Sequence, residues 1–194
     1  MLAKAILLTV SMGLMKLVCE TYSLLNVDRL GRRPLLLVGA LGLTLSLLAI
    51  GVAMQIKLAA GVAGVTMASY GVFAGIAAYM AFHALSYGPI TWLVLAEIFP
   101  SNIRGKAMGI ATMVNRGTSF VVAYTFLTMC ERLKWSGAFY MYAALAALSF
   151  IFYGLFVPET AGVRLEEIAP LFGKPKTLVS RNLANLRQLA GVSK

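Results

Sequence analysis

The sequence predicts an all-α membrane protein of about five transmembrane helices, on three observations. Several segments of roughly twenty residues or more are almost free of charge, the basic residues gather between them, and 60% of the 194 residues are hydrophobic against 12% charged. The mean hydropathy is +0.83. A soluble domain has about a quarter of its residues charged, and its helices show an apolar stripe rather than an apolar surface on every side. A formal net charge of +10 would point to nucleic acid in a soluble basic protein. Cations confined to short connections act instead as topology signals, so no nucleic-acid partner is expected. Cys19 and Cys130 lie in or at the end of apolar runs without metal-ligand spacing, so neither a disulfide framework nor a zinc site is predicted.

The elements follow in chain order from the uninterrupted apolar runs, with charge and Pro/Gly clusters marking their ends. The first span is residues 2–25; Lys16 and Glu20 interrupt it four residues apart, where they offset one another on one helix face. Its length, those charges and the lack of a small-residue cleavage site argue against a signal peptide. The second span is 34–56. The third, 65–99, is too long for one straight crossing, and Gly88-Pro89 supplies a bend, because proline lacks the N–H donor and its ring crowds the preceding turn. The fourth and fifth are 107–130 and 138–157.

Orientation follows from the connections. Arg29, Arg32 and Arg33 follow the first span, Arg104 and Lys106 the third, and Arg164, Lys174, Lys176, Arg181, Arg187 and Lys194 the fifth. The opposite connections hold Lys57, and Arg132 with Lys134. Cytoplasmic loops carry the excess of Lys and Arg, so the first set is expected inside and the first residue outside. An odd number of spans starting outside leads to the expectation that the sequence begins partway through a larger bundle. Two regions result: 1–158, the helices of a half-bundle, and 159–194, a cytoplasmic basic tail. In that tail Val179, Leu183, Leu186 and Ala190 recur at helical spacing beside Arg181 and Arg187, the pattern of a basic amphipathic helix on anionic lipid; a disordered tail is the alternative.

Three stretches carry more specific information: VDRLGRRP (27–34), GPITWLVLAEIFPSNIRG (88–105) and VPETAGVRLEEI (157–168). This ordered set resembles the C-terminal half of the sugar porter family of the major facilitator superfamily, where the same patterns follow transmembrane helices eight, ten and twelve. The five spans would then be helices 8–12 of that fold. GLMKLV (13–18) ahead of VDRLGRRPLLL is most similar to the plant xylose/proton-symporter-like and vacuolar or plastid glucose carriers.

The resemblance implies a cytoplasmic gate built from Asp28, Arg32, Arg33, Glu97 and Arg104. On physical grounds Glu97, beside an apolar run at the membrane edge, needs a partner, while the arginines also serve as ordinary positive-inside determinants. It further implies a sugar site at the helix-ten bend and the middle of helix eleven. Trp92 matches the tryptophan of the GPxxW pattern and Asn115 an asparagine that bonds sugar hydroxyls. Helix packing is the other reading of Trp92, and an interhelical hydrogen bond that of Asn115. Ala84 and Ser119 stand where relatives carry a glutamate and a second asparagine. His83 and Tyr87, one turn apart, are placed to restore polarity to that face, although His83 also fits a packed helix histidine. Arg116 stands where an aromatic is usual; a buried arginine costs about 2.5 to 3.5 kcal/mol on an insertion scale, so it should face a water-filled cavity, and with it the substrate, or a carboxylate.

Together these readings predict transport of a sugar or related polyhydroxylated solute by alternating access, with this chain as a partial carrier needing an N-terminal half-bundle. A truncated membrane product that only interacts with a complete carrier is the alternative. One histidine, no nucleophile with a matched base and no phosphate-cradling loop argue against an enzyme, and no cofactor is expected. Symport and uniport stay open, as do plasma, vacuolar and plastid membranes.

Overall fold

The structure is a computed structural model that describes residues 2–59, 61–160, 179–180 and 182. The helix expected in the basic tail lies outside the described residues except for Val179, Ser180 and Asn182. The chain forms α1 (Leu2–Leu30), α2 (Arg32–Ala59), α3 (Gly61–Phe82), a π turn (His83–Tyr87), α4 (Pro89–Ile98) and α5 (Arg104–Phe156).

Among the described residues, four stretches are long and apolar enough to cross a membrane: Ile6–Leu30, Arg32–Lys57, Ala68–Ile98 and Arg104–Phe156. The last has 53 residues and would be about 80 Å long if straight, far more than a hydrocarbon core of about 30 Å. Its backbone leaves helical geometry at Lys134 (φ 60°, ψ 163°), and the chain reverses there. Phe126 before the break meets Trp135 and Tyr142 after it, at 6.0 and 6.3 Å between ring centroids. The second arm then runs back along α2: Tyr140 Oη donates to Gln55 Oε1 at 2.9 Å near one end, and Arg33 Nη2 reaches the Gly154 carbonyl at 2.8 Å at the other. The chain therefore makes five traverses, as the sequence predicts, with two of them joined by a turn that keeps helical hydrogen bonding on both sides. The helices overrun the expected ends because charge marks where the apolar core stops, not where helical bonding stops. Thus α1 continues through Asp28 and Arg29.

The most enclosed element is α2. Leu36, Ala40, Leu43, Leu47, Ile50 and Ala53 are all buried, at the three- and four-residue spacing of one helix stripe. Small residues let neighbours close on it: a β-carbon at Gly39 would run into Ser86, one at Gly42 into the Phe82 ring, and one at Gly51 would lie 2.7 Å from the Tyr140 ring. Close approach across glycine is how membrane helices gain packing when lipid is as apolar as the side chains. By contrast α1 and the first arm of α5 leave Leu14, Leu17, Met113, Val114, Phe120 and Leu127 exposed, surfaces fit for a bilayer or further helices.

Candidate functional site

The bend between α3 and α4 organises the first cluster. Pro89 has no N–H, so the Leu85 carbonyl one turn earlier loses its helical donor. Two adjustments repair the break. Gly88 N–H reaches back five residues to the His83 carbonyl at 2.9 Å, making the π turn, and Ser23 Oγ, fully buried on α1, donates to the Leu85 carbonyl at 2.6 Å. Single π turns of this kind cluster at functional sites.

A cleft of about 420 Å³ opens against this bend, within the size range of ligand sites. From the bend come His83, Tyr87, Gly88, Thr91, Trp92 and Leu95, and from the first arm of α5, Ala111, Asn115 and Ser119. Rings at 83 and 87 lie 6.4 Å apart. The structure thus brings together five of the six residues predicted for the substrate: Trp92, Asn115, His83, Tyr87 and Ser119. Arg116 is off the cleft wall. Its neighbour Asn115 faces inward, and one residue turns a helix by about 100°, leaving Arg116 on the exposed side of the arm with no carboxylate partner among the described residues. Thr91, Leu95 and Ala111 were not predicted. Thr91 follows Tyr87 and Asn115 follows Ala111 by one turn, a spacing that would have found both.

The second cluster ties the arginine-bearing ends of the helices. Gly31, at φ +83°, closes α1 by donating to the Val27 carbonyl at 3.1 Å, the left-handed cap that favours glycine. A β-carbon there would also stand 2.7 Å from the Glu159 carboxylate. Arg32 then opens α2 and bridges two acids, Asp28 at 2.8 Å and Glu97 at 3.1 Å. Asp28 is 81% exposed and Glu97 13%, so solvent screens the first pair and the second dominates. Thr160 Oγ1 donates to the other Glu97 oxygen at 2.8 Å. Glu159 accepts the free N–H groups of Arg32 and Arg33 at 2.9 and 3.1 Å, a carboxylate on a helix N-terminus where the dipole favours it. Arg33 is buried, and besides Gly154 it reaches the Asn182 carbonyl at 3.4 Å. Of the five predicted gate residues, Arg104 stands apart: its Nε donates to the Phe99 carbonyl at 3.2 Å, closing the turn after α4. Glu159 and Thr160 belong to the VPETAGVRLEEI stretch, whose sequence announces no partners for them, and Asn182 lies outside the three stretches.

A bent helix walling a polar cleft, beside long apolar helices tied by ions at one end, is the architecture of an integral multi-pass membrane protein. The family model "Sugar (and other) transporter" matches residues 1–172, and the chain belongs to this family, the sugar porters of the major facilitator superfamily. It is 36% identical over 167 residues to polyol transporter 5 of Arabidopsis thaliana, covering 86% of this chain and 31% of that protein. It is 33% identical over 189 residues to the D-xylose-proton symporter of Escherichia coli K12, covering 94% of this chain and 36% of the relative. Among solved structures it is similar to the proton:xylose symporter XylE bound to 6-bromo-6-deoxy-D-glucose, with TM-score 0.77, 30% identity, 89% of this chain and 36% of that one. The chain spans about a third of the length of the curated relatives it matches. These relatives are transporters, not enzymes.

Proposed function

We propose that the chain contributes five crossings to a carrier of a neutral polyhydroxylated solute, a sugar or polyol, that works by alternating access together with a second half-bundle. The observation that carries this reading is the cleft. One aromatic face, Trp92, stands beside the amide of Asn115 and the hydroxyl of Ser119, with His83, Tyr87 and Thr91 completing the wall, and among the described residues that wall holds no carboxylate, lysine or arginine. Such a lining suits an uncharged solute with many hydroxyls, which an aromatic face and short polar groups recognise together. The names of the relatives, polyol and D-xylose transporters, support the same solute class. The Arg32–Glu97 pair with Asp28, Arg33 and Glu159 serves as the gate at the cytoplasmic end, breaking and reforming as the halves rock, while Arg104 closes the adjoining turn.

Binding tests the reading. In the assembled carrier, Trp92→Ala and Asn115→Ala each weaken sugar binding while membrane insertion is retained. The loss at Asn115 is about 0.5 to 1.5 kcal/mol, the net value of a hydrogen bond, or roughly two- to tenfold in Kd. Uptake is measured against competing pentoses, hexoses, polyols and organic acids. Competition by the acids alone overturns the solute class, and unchanged affinity in both variants removes the cleft as the site.

A further inference from the structure

Charged side chains inside a membrane span are costly and mark pathways for protons, ions or substrate. The α1 helix carries two, Lys16 and Glu20, that neither the cleft wall nor the arginine network uses. Their Nζ and Oε1 atoms are 3.6 Å apart. Glu20 lies about 12 Å of helix inside Asp28, the first charged residue at that end of α1, and so within a hydrocarbon core of about 30 Å. The carboxylate also reaches the bend. A β-carbon at Gly88 would stand 3.4 Å from Glu20 Oε1 and 4.0 Å from His83 Cε1, so acid and imidazole converge on one point, and Gly88 and His83 both belong to the cleft wall.

We propose that Lys16, Glu20 and His83 form a proton-binding site within the membrane beside the cleft, in which the His83 imidazole takes up one added proton under the opposing fields of the Glu20 carboxylate and the Lys16 ammonium. The proton comes from a hydronium ion in the water of the cleft and returns to water, and no other bond changes. An ion pair beside a neutral imidazole has no net charge, and the added proton gives the triad a single positive one. A wet cleft tolerates that charge, whereas a dry, closed one does not. Proton occupancy therefore follows the opening and closing of the cleft. The other titratable groups around His83 are Tyr79 and Tyr87, with ring centroids at 6.2 and 6.4 Å, and Tyr153, edge-on to Tyr87 at 5.5 Å. The first arm of α5 presents only Ala111, Asn115 and Ser119 to the cleft, and α2 meets the π turn through Gly39 against Ser86. Use of this site in coupled transport rests on the carrier reading above; the site itself does not.

The chain has one histidine, so protein labelled with isotopic histidine and held in lipid nanodiscs shows one imidazole ring whose titration reads this site alone. The midpoint is expected to move by about one pH unit or more, the effect of a close charge, in opposite senses in Glu20→Gln and Lys16→Met. A midpoint unmoved in both variants, or moved in the same sense, overturns the proposal. In vesicles bearing the assembled carrier, an inward proton gradient is expected to stimulate D-xylose or xylitol uptake, and Glu20→Gln to lose the stimulation. Stimulation equal in the two proteins overturns the use of the site in coupling. Absence of uptake in both overturns the carrier reading, and the histidine titration then decides the site by itself.

Discussion

Single side chains in this half-bundle act chiefly by satisfying backbone groups that the fold has orphaned. Ser23 is the clearest case, because its hydroxyl gives the Leu85 carbonyl the donor that Pro89 cannot supply. Ser23→Ala leaves a buried acceptor unsatisfied, which costs about 1 to 3 kcal/mol, while Ser23→Thr keeps the donor. The loss is expected as a lower midpoint of unfolding by sodium dodecyl sulfate in mixed micelles, restored by the threonine variant. At the other cluster Glu97→Gln strands the guanidinium of Arg32, only 12% exposed, with the screened Asp28 as its main acid. Breaking a buried pair from one side costs about 3 to 5 kcal/mol, and if the cluster is the gate proposed above the loss falls on its closed state. Inner-side accessibility to a thiol reagent should rise, and accessibility equal to that of the unmodified carrier would leave Glu97 a packing residue. The family resemblance points to Trp92, Asn115 and Ser119 and one-turn spacing to His83 and Tyr87, and the five line one cleft. The role of Glu159 was not legible, because its partners at Arg32 and Arg33 are 127 and 126 residues away and are backbone groups with no sequence signature.

Among the elements, apolar runs predicted every traverse and Gly88-Pro89 predicted the bend. The form of the bend was illegible: a π turn is a choice of hydrogen-bond register, settled here by Ser23 on another helix and by close packing at Gly39 and Gly42. The other unforeseen element is the turn inside α5. Charge at Arg132 and Lys134 marked the end of a span, yet the chain reverses through one residue rather than through an open loop. Lys134 holds φ 60° and ψ 163°, a region populated almost only by glycine that costs of order 1 to 3 kcal/mol for other residues. Lys134→Gly therefore relieves the turn and should raise the unfolding midpoint by about that energy less the added chain entropy of glycine. Lys134→Val, with a branched β-carbon in the same conformation, should lower it. If the two variants unfold together with the parent chain, the turn is not held at this residue.

For the whole molecule the question is which end faces the cytoplasm, and geometry and charge together support one proposal. The five traverses put residues 31–33, 100–104 and 157–160 at one end, because Arg32 bridges Asp28 and Glu97 there, Thr160 joins Glu97, and Arg104 closes on Phe99. Lys57 and Lys134 lie at the other, beside the Tyr140–Gln55 contact. The first end carries most of the Lys and Arg of the connections, the bias that sets cytoplasmic orientation. Ser101 is exposed at the first end and Ser136 half-exposed at the second, so a cysteine at each reads one side. Cys19 and Cys130, the free cysteines of the chain, are first replaced by serine and alanine. A membrane-impermeant maleimide applied outside intact cells should then label Ser136→Cys and spare Ser101→Cys until the membrane is opened. Labelling of both from one side would deny that the first arm of α5 crosses the membrane and with it the five traverses, and labelling with the sides exchanged would invert the orientation while leaving the five traverses intact.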